Sequence, residues 1–151
     1  MISMKRMLLV DDEPAILHTL RIILTSDGHE VETAWSSKEA LDIVTQERFD
    51  VVVTDFNMPG MKGDELALLI KEQRPGTPVL MLSGSAEILR ASGRTLPGVD
   101  VLMGKPFSMT EFRREVARLL AKDSVSANPE VTPVWSNSPR QETVLAGSVM
   151  G

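Results

Sequence analysis

The sequence predicts an α/β fold: a doubly wound, five-stranded parallel sheet, order 2-1-3-4-5, with helices on both faces. Three observations carry that prediction. Short β-type runs alternate with amphipathic stretches five times between residues 4 and 121, and such alternation favours a parallel sheet covered on both sides. Val51-Val52-Val53 is β-branched and apolar on both faces, as a central strand must be. The run from His29 to Ala34 alternates polar and apolar residues, as an edge strand does.

Each element has its own reason. Arg6 to Val10 is a continuous apolar run. Ile16, Leu17, Leu20, Ile23 and Leu24 then fall on one helical face, behind Pro14 at a first-turn position, and Gly28 ends that helix. After the edge strand, Ser36 and Glu39 have capping-box spacing ahead of Ala40, Leu41 and Val44. The central strand leads to a loop punctuated by Gly60 and Gly63, and then to a helix carrying Leu66, Leu69 and Ile70. Pro78 opens the strand Val79 to Leu82. A weaker helix spans Ala86 to Ser92, and Val99 to Met103 is the fifth strand. Ser108 and Glu111 repeat the capping-box spacing before Phe112, Val116, Leu119 and Leu120. The arrangement is flavodoxin-like.

Composition narrows the function. The 151 residues are 42% apolar and 25% charged, enough for one well-buried core. A net charge of −5 disfavours direct nucleic-acid binding. The absence of cysteine removes disulfides, zinc–thiolate sites, iron–sulfur clusters and thiol nucleophiles. His18 and His29 are the only histidines, and both read as ordinary surface or strand-start residues. No segment approaches the roughly 18 apolar residues of a membrane span. The basic pair Lys5-Arg6 precedes an apolar run that stops at Asp11, too short for a signal peptide. A cytoplasmic protein without membrane insertion is expected. No glycine-rich P-loop pattern is present, so nucleotide binding is not indicated.

In a sheet of order 2-1-3-4-5, ligands bind beyond the carboxyl ends of the first and third strands. Those ends hold Asp11, Asp12 and Asp55. Carboxylates crowded together repel one another, and a hard cation such as Mg²⁺ would relieve the repulsion and neutralise an incoming phosphoryl group. Asp55, on a stiff central strand, is then a candidate nucleophile that forms an aspartyl phosphate. The loop Asn57 to Gly60 could lend a backbone carbonyl to the metal. Ser83-Gly84 ends the fourth strand, where a hydroxyl could bond a phosphoryl oxygen. Lys105-Pro106 follows the fifth strand, where an ammonium would pair with phosphate or with Asp55. Each residue alone has a plainer reading: Asp12 or Glu13 as a helix cap, Asp55 as a turn residue, Ser83 as a strand end, Lys105 as a solvated lysine. Their joint placement at matching strand ends favours the chemical one.

These residues resemble the receiver domain of two-component response regulators over about residues 4–121. The resemblance rests on Leu8-Leu9-Val10-Asp11-Asp12-Glu13-Pro14, on Asp50 to Asp55 with Asn57-Met58-Pro59-Gly60-Met61 and Gly63, on Ser83-Gly84, and on Lys105-Pro106-Phe107. It implies that Asp55 accepts a phosphoryl group from the phosphohistidine of a sensor histidine kinase or histidine phosphotransfer protein. It implies that Asp11 or Asp12, Asp55 and the Asn57 carbonyl hold Mg²⁺, that Ser83 is the switch hydroxyl, and that Lys105 binds phosphate. Receivers also catalyse their own dephosphorylation with an in-line water. One position departs from the family. Many receivers carry an aromatic residue three before the lysine; here it is Leu102, and the chain has no tyrosine. Leucine cannot reproduce the inward ring motion of that aromatic, so the usual output face of fourth helix, fifth strand and fifth helix is not implied.

Residues 122–151 change in texture. Pro129, Pro133 and Pro139 interrupt a stretch rich in Ser, Thr, Asn and Gly. Disorder is the expectation there, with a short docking segment around Val131 to Trp135 or Val144 to Met150 as the functional reading. A single-domain receiver that switches protein–protein contacts or relays phosphate is the leading reading. A C-terminal receiver of a hybrid histidine kinase, or a phosphate-independent receiver-like binding module, is the alternative. A haloacid-dehalogenase-type phosphatase would need an aspartate two residues after the nucleophile, where this chain has Asn57.

Overall fold

The structure is a computed structural model that describes residues 4–123 and 134–135. Its elements are β1 (Arg6–Val10), α1 (Pro14–Ser26), β2 (Glu30–Ala34), α2 (Ser37–Gln46), β3 (Val51–Asp55), α3 (Gly63–Gln73), β4 (Val79–Ser83), α4 (Ala86–Ala91), β5 (Val101–Gly104), α5 (Met109–Asp123) and β6 (Val134–Trp135). The first five strands are parallel in the expected order 2-1-3-4-5, and β6 adds a sixth parallel strand beside β5. The helix α5 runs through Asp123. The rest of the segment expected to lack fixed structure, together with Val144 to Met150, lies outside the described residues.

Strand alternation splits the core into two layers. Leu8, Val10, Val52, Met81 and Leu102 face α2, α3 and α4. Their neighbours Met7, Leu9, Val51, Val53, Leu80 and Met103 face α1 and α5. The burial of β3 and β4 on both sides explains why their sequences are continuous apolar runs. In β2, by contrast, Glu30 and Glu32 are exposed, as an edge requires.

Local signals settle the starts of α2 and α5. The Glu39 amide donates to Ser36 Oγ (3.1 Å), and the Glu39 carboxylate reaches back to the Trp35 amide (2.7 Å). The Ser108–Glu111 box is reciprocal, with bonds of 3.0 and 3.1 Å. The fifth strand starts two residues later than the expected Val99. Val99 is buried, but its amide donates to the Leu96 carbonyl in a turn (3.1 Å) that precedes the strand. An apolar residue packed in a loop reads like a strand residue in sequence. His29 is buried beside β2, where its Nδ1 accepts the Lys5 amide (3.2 Å) and burial lowers its pKa. His18 is exposed on α1.

Candidate functional site

β1 pairs with β3 and β3 with β4, so Val10 lies opposite Thr54 and Asp55 opposite Leu82. The carboxyl ends of these strands therefore finish side by side. Backbone hydrogen bonds continue past the strand ends and fix the residues that follow. The Asp11 amide donates to the Ala34 carbonyl (3.1 Å), the Phe56 amide to Leu82 (2.8 Å), and the Lys105 amide to Ser83 (2.9 Å). These bonds are why Asp11, Asp55, Ser83 and Lys105 arrive at one place with little freedom.

Asp11, Asp12 and Asp55 each offer a carboxylate oxygen within 4.8 Å of the others. Asp11 and Asp55 are buried, while Asp12 is exposed. Lys105 closes the group: its Nζ lies 2.7 Å from Asp55 Oδ1 and 3.7 Å from Asp11 Oδ2. Burial works against the Lys105 ammonium, but the hydrogen bond to Asp55 and the charges of Asp55 and Asp11 outweigh it and raise its pKa. Burial pushes the Asp11 carboxyl up to about 6, with Asp55 adding to the rise; the Glu13 amide and Lys105 oppose it. The plainer reading of the acidic start of α1 does not hold. Neither Asp12 nor Glu13 caps it: the N-cap, Glu13, makes no side-chain bond, and Asp11 Oδ1 accepts the Glu13 amide instead (2.9 Å).

Among the described residues, Asp11 Oδ2 is buried without a hydrogen-bond partner. A buried carboxylate oxygen in that condition is costly unless something charged sits against it. The three clustered carboxylates are all hard oxygen donors, which fits Mg²⁺ rather than a softer metal.

Ser83 is buried at the end of β4, with its Oγ accepting the Ser85 amide (2.9 Å). Its neighbour across the sheet is Gly104, one residue before Lys105. Asn57 is exposed, two residues after Asp55, with its side-chain oxygen accepting from Lys62 Nζ (2.9 Å). The sequence read Gly63 as loop punctuation and as part of the receiver-like motif, without a structural role. In the structure an added Cβ at Gly63 would lie 2.2 Å from the Asp55 carbonyl oxygen, so α3 presses its first residue onto the backbone of the acidic strand end. The Gly63 amide donates to Phe56 (2.8 Å) at the same contact. Lys62 was not foreseen either; nothing in local spacing points a loop lysine at Asn57. Trp35 follows β2 and is 60% exposed. On α5, Arg113 pairs with Asp27 (2.8 Å) and Arg118 with Glu115.

Comparison with known proteins agrees with this geometry. The family model for the response regulator receiver domain matches residues 7–117. The transcriptional regulatory protein GlrR of Escherichia coli K12 is 39% identical over 100 residues, covering 66% of this chain and 22% of that protein. The chain spans between 22% and 54% of the length of the first curated relatives it matches. Among solved structures, a CheY-like receiver domain protein from Methanospirillum hungatei superposes with a TM-score of 0.76 at 30% identity, covering 83% of this chain and 100% of that one. The response regulator TrrA of Thermotoga maritima, solved in complex with Mg²⁺–BeF, gives 0.70 at 33% identity, covering 77% of this chain and 99% of that one.

Proposed function

This chain belongs to the response regulator receiver domain family, and on that premise we propose that it is a phosphoacceptor in a two-component or phosphorelay pathway, with Asp55 as the acceptor. The observation that carries the reading is the Lys105 ammonium held 2.7 Å from Asp55 beside two further carboxylates. The receiver unit runs from residue 4 to the end of α5. The phosphoryl donor is a phosphohistidine on a sensor histidine kinase or a histidine phosphotransfer protein.

Asp11, Asp12 and Asp55, with the backbone carbonyl of Asn57, would hold Mg²⁺. Bound there, the ion supplies charge neutralisation for the phosphoryl group and for the crowded carboxylates. The chain's own residues do the rest. A carboxylate oxygen of Asp55 forms the new P–O bond as the P–N bond to the donor imidazole breaks. The electron pair of that bond leaves on the imidazole nitrogen, which takes up a proton. Lys105 offers its ammonium to the phosphoryl oxygens, a charge-assisted contact that its ion pair with Asp55 already positions. Ser83 donates a hydrogen bond from its hydroxyl to a phosphoryl oxygen and so favours the phosphorylated state, which is the differential contact a switch requires. In the separate dephosphorylation step a water oxygen bonds to phosphorus in line, the P–O bond to Asp55 breaks, the water proton goes to the phosphate, and carboxylate and inorganic phosphate result. Asn57 and Ser85 flank that path.

Intact-protein mass after incubation with acetyl phosphate and Mg²⁺ tests the reading. One added phosphoryl group is expected, absent in Asp55→Asn and absent in EDTA. No addition under any condition would leave the pocket receiver-like in form only and favour phosphate-independent binding.

A further inference from the structure

The two edges of the sheet are treated differently. On one side β2 exposes Glu30 and Glu32, charges that discourage pairing with another strand. On the other side β5 reads Val101-Leu102-Met103-Gly104, buried throughout and without a charge. A strand of this kind at an edge would present unpaired amides and carbonyls to any extended peptide.

The direction of those groups follows from the register. The Lys105 amide donates inward to Ser83 on β4. Backbone groups alternate along a strand, so Met103 also faces β4 and Leu102 faces outward. Arg90, on the last turn of α4, confirms the direction, because its guanidinium donates to the Leu102 carbonyl (2.9 Å). At this same outward position the chain lays down β6. Val134 pairs with Val101 and Trp135 with Leu102, parallel to β5. A β-branched residue followed by an aromatic is what a strand position favours, although prolines stand nearby at 133 and 139.

We propose that the outer edge of β5 is a peptide-docking edge, which accepts an extended uncharged segment running parallel to it, and that this chain occupies the edge with its own Val134–Trp135 segment. An incoming strand must displace that segment. The device protects the uncharged edge and leaves it available to a partner able to compete. It needs no phosphoryl chemistry, so it stands or falls apart from the role proposed for Asp55.

The test uses the full chain and a Val134→Pro/Trp135→Gly variant, which removes an amide donor and both strand-favouring side chains outside the receiver core. Amide hydrogen exchange by NMR at Leu102 should be slow in the unmodified protein and at least about tenfold faster in the variant, with β1 and β3 amides unchanged. A labelled, end-capped peptide of residues 131–139 should bind the variant at least about tenfold more tightly than the unmodified protein, because only there is the edge open. A Leu102 amide that exchanges freely in the unmodified protein, or at the same rate in both, would overturn the proposal. So would equal peptide binding to both proteins, including none.

Discussion

Asp11 concentrates the electrostatic tension of this protein in one side chain. It is 2% exposed, its Oδ2 has no hydrogen-bond partner among the described residues, and its carboxyl is pushed up to about 6 from 3.8. A carboxyl that holds its proton more tightly in the folded state favours folding most when protonated. The contribution of Asp11 is therefore complete below pH 3.8, falls as pH rises through about 6, and is lost above that. Holding it charged at pH 7 costs about 3 kcal/mol. In metal-free buffer, Asp11→Asn should raise stability at pH 7 by about 2–3 kcal/mol, because asparagine keeps the acceptor for the Glu13 amide without the buried charge. The gain should vanish near pH 4. Urea denaturation at the two pH values checks this, and a variant no more stable than the parent at pH 7 would place the strain elsewhere.

Gly63 shows how an element, rather than a side chain, holds Asp55 in place. An added methyl group meets the Asp55 carbonyl oxygen at 2.2 Å and the Phe56 Cα at 2.9 Å, and both are backbone atoms that cannot rotate away. Gly63→Ala must displace α3 or the end of β3, at a cost of about 2–3 kcal/mol. Thermal unfolding should show the loss, and a shift no larger than that of an exposed helix substitution would contradict the contact. The same helix illustrates what a sequence reveals. Ser36–Glu39 and Ser108–Glu111 were legible because a cap is a bond between residues three apart. The positions of Asp11, Asp55, Ser83 and Lys105 were legible because each ends or directly follows a strand and the strand order follows from the alternation of elements. The close contact at Gly63, the role of Lys62 and the strand pairing of β6 were not, although Gly63 belongs to the receiver-like motif and β6 falls within the docking segment expected around Val131 to Trp135. The first depends on how closely α3 approaches β3, the second on a loop conformation, and the third on two residues finding an edge from within a proline-rich stretch. None of these leaves a local period.

On the scale of the molecule, the pocket unites parts of the chain that have no reason to meet unless the sheet is whole. Asp11 belongs to the end of β1, Asp55 to the end of β3, and Lys105 follows β5; the two halves of the core lie on opposite faces of those same strands. An unfolded chain does not assemble this oxygen cluster, so a cation held by it stabilises the whole fold by mass action. At a hundredfold excess over its dissociation constant, Mg²⁺ should add about 2.7 kcal/mol. For a domain of this size, that is a rise of several degrees in Tm. The rise should largely disappear in Asp11→Asn, although that variant is the more stable one without metal, and this reversal separates cation binding from a general salt effect. It should also shrink as pH falls below about 6, where Asp11 takes up a proton that competes with the cation. Calorimetry with and without Mg²⁺ at pH 7.5 and pH 5 reads all of these. A Tm unmoved by Mg²⁺ in the unmodified protein at pH 7.5 would mean that Lys105 alone compensates the carboxylates, and that the oxygen cluster is not a metal site.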